Sequence, residues 1–267
     1  MSNYHRAETI LESGAGEQAR GPEYGTSRTM SYSSFAVAVN STEHTESSPN
    51  ILRQMARRAL ATALPRSMFM TEGPRTAQSV CLTFDDGPHP ERTPRILDIL
   101  AHEGVHATFF VLGLHAERFP DVVKRIGAEG HTVGHHSYSH RPQTSWAVVQ
   151  EVRKSNQILK SILGQPVRFY RPPHGKLRAL DFVGLWVLGQ SIVLWNVDPR
   201  DFEQPSSERL TDWFKARPLR GGDVVLLHDD ELHTAAALPS IIADVRRSGL
   251  QFETLSRWTR WLPAGRL

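Results

Sequence analysis

Leu82-Thr83-Phe84-Asp85-Asp86-Gly87-Pro88 is the stretch from which the fold of this chain can be read. Leu82 and Phe84 alternate with Thr83 as a strand requires, and Gly87-Pro88 ends that strand at once. Two carboxylates therefore stand at the carboxyl end of a strand. Successive strand residues face opposite ways, so Asp85 and Asp86 are expected to do different jobs, one binding a cation and the other moving a proton. The competing reading is a solvated turn, because Asp and Gly are ordinary turn residues.

Outward from this stretch, strands and helices alternate. A helix is expected over 93–103, with Ile96, Leu97, Ile99 and Leu100 at helical spacing, Thr93 as N-cap, Pro94 in the first turn and Gly104 as the stop. Further strands are expected at 107–112, 131–134, 167–170, 191–197, 223–227 and 251–254, and further helices at 120–128, 146–163, 179–188, 207–215 and 234–247. Strands alternating with helices of this length argue for βα units and a parallel sheet. The units are too few for a full eight-fold barrel, which takes about 250 residues. The expected fold is α/β, an irregular, incomplete (β/α) barrel with about seven parallel strands.

The 267 residues allow one large α/β domain or two small ones, and 39% hydrophobic content suffices for a core. Residues 1–49 are polar and rich in Ser, Glu, Thr and Gly, a composition expected to remain disordered. Residues 50–74 read as an amphipathic helix and linker, and 75–267 as the main domain. No apolar run approaches the ~18 residues of a membrane span, so stable membrane insertion is not expected. Met1 opens no charged-then-apolar leader, which favours the cytoplasm; a true start at Met55 would leave export open. The net charge of +3 is scattered, with no basic stripe interleaved with aromatics, so nucleic acid is not an expected partner. The single cysteine, Cys81, excludes an internal disulfide framework and reads as a small buried thiol.

The informative fact is positional. Asp85-Asp86 follow the first strand, His136 and His140 the third, Arg171 the fourth, Asp198 and Asp201 the fifth, and His228 the sixth. Pockets of parallel α/β proteins are built at the carboxyl ends of strands, and five separate loops deliver a titratable group there. His136-Ser137-Tyr138-Ser139-His140 carries two imidazoles at a spacing that lets both face one cation. His131 and His135 share that spacing among 13 histidines, so the pattern alone leaves the register open, although His131 lies inside a strand. With Asp86, two such imidazoles would form a three-ligand set with open positions for water, the arrangement of a hydrolytic rather than a structural metal site. Asp198 reads as a turn residue beside Pro199, His89 and His102 as solvated or structural, and Trp146, Trp186 and Trp195 as core.

Together these residues resemble the polysaccharide deacetylase family, carbohydrate esterase family 4, with its NodB-type chitooligosaccharide deacetylases. The resemblance spans about residues 75–255 and five motifs in the family's order: Thr83 to Pro88; His136 to His140, which selects the register; Arg171-Pro172-Pro173-His174-Gly175; Asp201-Phe202; and Leu226-Leu227-His228. It implies removal of N-acetyl groups from a β-linked amino-sugar polymer or oligosaccharide with release of acetate. Asp86, His136 and His140 would hold a divalent metal, zinc or else cobalt or nickel. Asp85 would be the general base, held by Arg171, and His228 the general acid, oriented by Asp201. The backbone N–H of His174 would help bind the oxyanion, and Phe202 and Leu226 would lie against the substrate.

Four positions depart from the family pattern: Phe202 for Trp, His174 for Tyr, His135 for Asn and Arg141 for Pro. None removes a residue that carries a role, but together they bear on substrate preference. The alternatives are an O-acetyl xylan esterase with the same site, a C–N hydrolase acting on a small cyclic amide, and a non-catalytic carbohydrate-binding protein.

Overall fold

The computed structural model describes residues 48–141, 145–176 and 178–259. The disorder expected for the N-terminal segment falls, up to residue 47, outside the described residues. Helix α1 (Ser48–Ala63) leads into strand β1 (Phe69–Met70) and then the long central strand β2 (Ser79–Asp85). There follow α2 (Arg92–Glu103), β3 (Thr108–Val111), α3 (Gly113–Arg118), α4 (Pro120–Ala128) and β4 (Thr132–His135). After α5 (Ser145–Leu163) come β5 (Phe169–Tyr170), α6 (Ala179–Val187) and β6 (Ser191–Val193). The chain closes with α7 (Ser207–Ala216), β7 (Val224–His228), α8 (Leu232–Arg247), β8 (Gln251–Phe252) and α9 (Leu255–Trp258).

The strands lie in the order β1-β6-β5-β4-β3-β2-β7, with β8 beside the start of β2, and every pairing is parallel. The sheet curls as an incomplete barrel. Past β6, Val197 bridges to Val225 of β7, and Leu226 N–H donates to Val197 O at 2.9 Å. This irregular crossing spans the gap that a further strand would fill in a complete barrel.

Period-two alternation sorts the side chains into layers. On β2, Val80, Leu82 and Phe84 join the outer core with Ile96, Leu97 and Leu100 of α2 and Leu238 and Ile241 of α8. The intervening Cys81 packs inside with Met70, Phe110, Phe169, Val193, Val224 and Leu255, a plug in the lower barrel. Thr83 and Asp85 continue that inward face towards the carboxyl ends, where polar groups replace the apolar plug.

The elements missed by pattern reading are short. Two-residue β1 and six-residue α3 carry too few residues to show a period, and β6 stops at Val193 because the chain turns off towards β7. Thr93 is not the N-cap of α2: Glu91 holds that position, and the Thr93 hydroxyl accepts from His89 N–H and donates to Asp229 Oδ2. Trp146 is no core residue, being 69% exposed at the start of α5, while Trp186 and Trp195 are half-buried.

Phe109 stacks on Phe84 with ring centroids 5.0 Å apart in the outer core. Phe109→Ala is expected to destabilise the fold by about 3–5 kcal/mol through transfer and cavity terms, read from the urea midpoint at unchanged slope.

Candidate active site

Arg171 follows β5 directly and is fully buried. Its Nη1 donates to Asp85 Oδ1 and to Thr83 Oγ1, each at 2.7 Å, and its Nε and Nη2 donate to the carbonyls of Val193 and Leu194. Phe110 lies under the guanidinium at 4.1 Å from its ring centroid. One planar cation thus joins β2, β5 and the end of β6. Asp85 is also buried, and burial raises its pKa from 3.8; the Arg171 and His228 charges pull back only part of that rise. An arginine neighbour by itself favours ionisation of Asp85, but here desolvation outweighs the partner. Oδ1 is taken up by Arg171, and Oδ2 faces His136 Nε2 at 3.7 Å.

Asp86 does not continue the alternation of the strand. With φ 75 it adopts the left-handed region, and its carboxylate turns into the same pocket as that of Asp85. The two carboxylates differ by partner rather than by side of the sheet. Asp86 Oδ1 lies 3.6 Å from His136 Nε2 and 3.4 Å from His140 Nε2, and it has no hydrogen-bond partner among the described residues. Two ligands at about 2.1 Å from one tetrahedral ion stand about 3.4 Å apart, so this orphaned oxygen and the two nitrogens suit a shared cation. Asp86, His136 and His140 are the group of possible ligands found among the described residues.

The histidine loop is shaped from outside. Glu151 of α5 accepts from the N–H groups of Tyr138 and Ser139 and from the Ser139 hydroxyl, while Ser137 Oγ accepts from His140 N–H. His136 donates through Nδ1 to the Arg171 carbonyl at 2.8 Å, which leaves the Nε2 lone pair facing the pocket. Burial lowers its pKa to about 3, so the ring is neutral, as a metal ligand must be. His135 sits in β4 itself, buried, with Nε2 on Gln190, which excludes it from the pocket.

His228 ends β7 and is held twice by Asp201, which lies in a short 3-10 turn over 201–203. The ring Nδ1 lies 2.7 Å from Asp201 Oδ1, and His228 N–H donates to Oδ2, which also accepts from Thr234. Burial works against a charged ring here, but the hydrogen bond and charge of Asp201, with the charges of Asp85 and Asp86, raise the pKa to about 9. Its Nε2 is 4.0 Å from Asp86 Oδ2. Phe202 is 51% exposed and meets the His228 ring edge to face at 5.3 Å, so it walls the pocket from the solvent side. Leu226 faces inward two residues below His228 and is buried. His174, at φ 55, is exposed at the mouth with its ring 4.8 Å from that of His140. Asp198 is the turn residue expected, accepting from Arg200 N–H and Trp195 Nε1–H. His89 is structural, its Nδ1 accepting from the N–H groups of Glu91 and Arg92 at the start of α2.

Sequence reasoning missed several supports. Thr83 was legible as part of the motif but not as the second acceptor of Arg171; Glu151, Thr234 and His115 carried no pattern. Asp229 was missed too. It is 1% exposed, accepts from the Thr93 hydroxyl at 2.5 Å, and packs so closely on Gly87 that a Cβ there would lie 2.0 Å from its Oδ2. This contact, rather than a left-handed φ, is what demands glycine after the Asp pair. Burial and then the charges of Asp230, Asp86 and Asp85 raise the Asp229 pKa to about 8.

Comparison with known proteins follows the same lines. The family model described as polysaccharide deacetylase matches residues 72–180. A Bacillus cereus peptidoglycan-N-acetylglucosamine deacetylase is 39% identical over 68% of this chain and 69% of its own length. A chitooligosaccharide deacetylase of Rhizobium leguminosarum bv. trifolii is 35% identical over 79% of this chain and 94% of its own. Among solved structures, a peptidoglycan N-acetylglucosamine deacetylase superimposes with a TM-score of 0.68 at 35% identity, covering 72% of this chain and 92% of that one.

Two titrations check these environments in the metal-free protein. By NMR, His228 should titrate near 9, and Asp201→Asn should lower that value, since burial is then opposed only by the more distant charges of Asp85 and Asp86. Asp229 has its pKa raised in the fold, so its contribution to stability is full below the unfolded value of 3.8 and is lost as pH rises through about 8. Asp229→Asn should therefore flatten the decline of stability with pH across that window, measured by urea unfolding.

Proposed function

This chain belongs to the polysaccharide deacetylase family and is a deacetylase of the chitooligosaccharide and peptidoglycan type; from its site we propose that it hydrolyses N-acetyl groups of a β-linked amino-sugar polymer or oligosaccharide in a metal-dependent reaction. The observation that carries this reading is a pair of opposed imidazoles around the same two carboxylates. His136 is neutral with Nε2 facing Asp86, and His228 is charged with Nδ1 held by Asp201. A site needing one ligand imidazole and one proton donor calls for this division.

Asp86, His136 and His140 would hold the divalent ion, with zinc suited to their donor set. Bound there, the ion would supply Lewis acidity towards the acetyl carbonyl and a lowered pKa for water. Asp85 takes the proton of the attacking water on Oδ2, because Arg171 occupies Oδ1. Its raised pKa makes it a better base once ionised than a solvated carboxylate would be. As water adds to the acetyl carbon, the backbone N–H of His174 helps bind the carbonyl oxygen. His228 then donates its Nε2 proton to the departing amine, so that the C–N bond breaks to acetate and a free amino sugar. Asp201 keeps the ring protonated and aimed.

Phe202 offers an exposed aromatic face beside His228 but no indole N–H, so this edge of the groove binds sugar by apolar contact alone. The relatives named above act on peptidoglycan and on chitooligosaccharides, and both substrate classes present the N-acetyl group that the proposed chemistry needs.

Acetate release and mass-spectrometric mapping on chitooligosaccharides of defined length, on peptidoglycan and on acetylxylan test the reading. Activity on the first two should vanish on chelation and return with zinc or cobalt. Asp85→Asn should lower kcat by about 10²–10⁴-fold with binding retained. Chelator-resistant turnover, or preference for acetylxylan, would sink it.

A further inference from the structure

The two loops that carry Asp86 and the His136–His140 pair are joined by one short turn on which neither motif depends by sequence. At the end of β3 and the start of α3, Leu112 N–H donates to Gly87 O at 2.8 Å, Gly113 N–H to Ser137 O at 3.0 Å, and Leu114 N–H to Tyr138 O at 3.0 Å. The next residue, half-buried His115, places Nδ1 2.9 Å from the carbonyl oxygen of Asp86. A carbonyl only accepts, so Nδ1 carries the hydrogen. The first N–H groups of a helix have no partner within it, and here those of Gly113 and Leu114 are satisfied by the histidine loop and that of the preceding Leu112 by the loop of Asp86.

The four acceptors follow a rule. Asp86 at φ 75 and Ser137 at φ 71 are both left-handed. In each loop the turn takes the carbonyl of the left-handed residue and that of the residue after it. Non-glycine residues seldom hold this conformation unaided. Relaxing either one towards the extended region would rotate the carbonyl held here and swing the neighbouring ligand side chain with it. Gly113 permits the close approach, since a Cβ there would lie 2.6 Å from Ser155 Oγ and 2.8 Å from Tyr138 Cδ2.

We infer that Leu112 to His115 form a bracket that sets the distance between the carboxylate and imidazole ligands, and that His115 is a positioning residue acting on Asp86. The inference rests on reading Asp86, His136 and His140 as ligands. His115 is the one member of the bracket that acts through a side chain, so it can be altered without disturbing the others.

The test measures zinc affinity of the full chain by competition with a chromophoric chelator, with melting of each metal-free variant alongside. His115→Leu should bind zinc roughly tenfold or more weakly, in the range seen when supports of metal ligands are removed. His115→Asn, whose amide can donate from nearly the position of Nδ1, should recover most of the affinity. In His115→Leu, acetate release should fail at limiting zinc and return in excess zinc. Unchanged affinity in His115→Leu overturns this inference alone, as does a His115→Asn variant that melts like the wild type yet binds as weakly as His115→Leu. Absence of zinc uptake by the wild type overturns the ligand reading and this inference with it.

Discussion

A single buried guanidinium holds the functional end of this barrel together. Arg171 has no exposure to water, and removing a cation from water costs several kcal/mol unless its donors are matched. Here they are matched by one carboxylate, one hydroxyl and two backbone carbonyls on β2 and on the stretch ending β6. The backbone carbonyl of the same residue orients His136. Fixing Arg171 thus fixes Asp85 from one side and a candidate ligand from the other. Such a pair adds little net stability over an apolar replacement, but leaving either partner alone would be costly, and this makes the arrangement all-or-none.

Around that anchor, identical side chains acquire different chemistry from their surroundings. Asp85 and Asp86 are adjacent and face one pocket, yet among the described residues only Asp85 of the two is hydrogen-bonded to a guanidinium. Asp86 keeps an oxygen with no hydrogen-bond partner among the described residues, the condition of a ligand. His136 and His228 differ by the same logic. One donates to a neutral carbonyl and is stripped of water, so it stays uncharged; the other leans on a buried carboxylate and stays charged. Asp229 is a third outcome, a carboxyl kept neutral against Gly87, where its bulk rather than its charge shapes the turn.

Tight turns do the remaining positioning. Left-handed residues at Asp86, Ser137 and His140 shape the two ligand loops, which are held by hydrogen bonds from α3 and α5. The strands bring the loops within reach of one another. The short helix α3 and Glu151 of α5 decide how those loops close.

Much of this was legible in the amino-acid order. Alternation of Leu82, Thr83 and Phe84, the helical spacing of Ile96 to Leu100 and the recurrence of titratable residues after successive strands determined a parallel βα architecture with its pocket at the strand ends, because burial periodicity is a local property. The motif order likewise identified the residues that gather there. What only the tertiary structure decided is how they divide the work. Asp85 and Asp86 were expected to separate by facing opposite sides of a strand; instead Asp86 leaves the strand geometry, and Arg171, 85 residues further on from Asp86, separates them. His115, Thr234 and Glu151 were invisible for the same reason. Desolvation and hydrogen bonding depend on which distant atoms surround a group, and no local period records that.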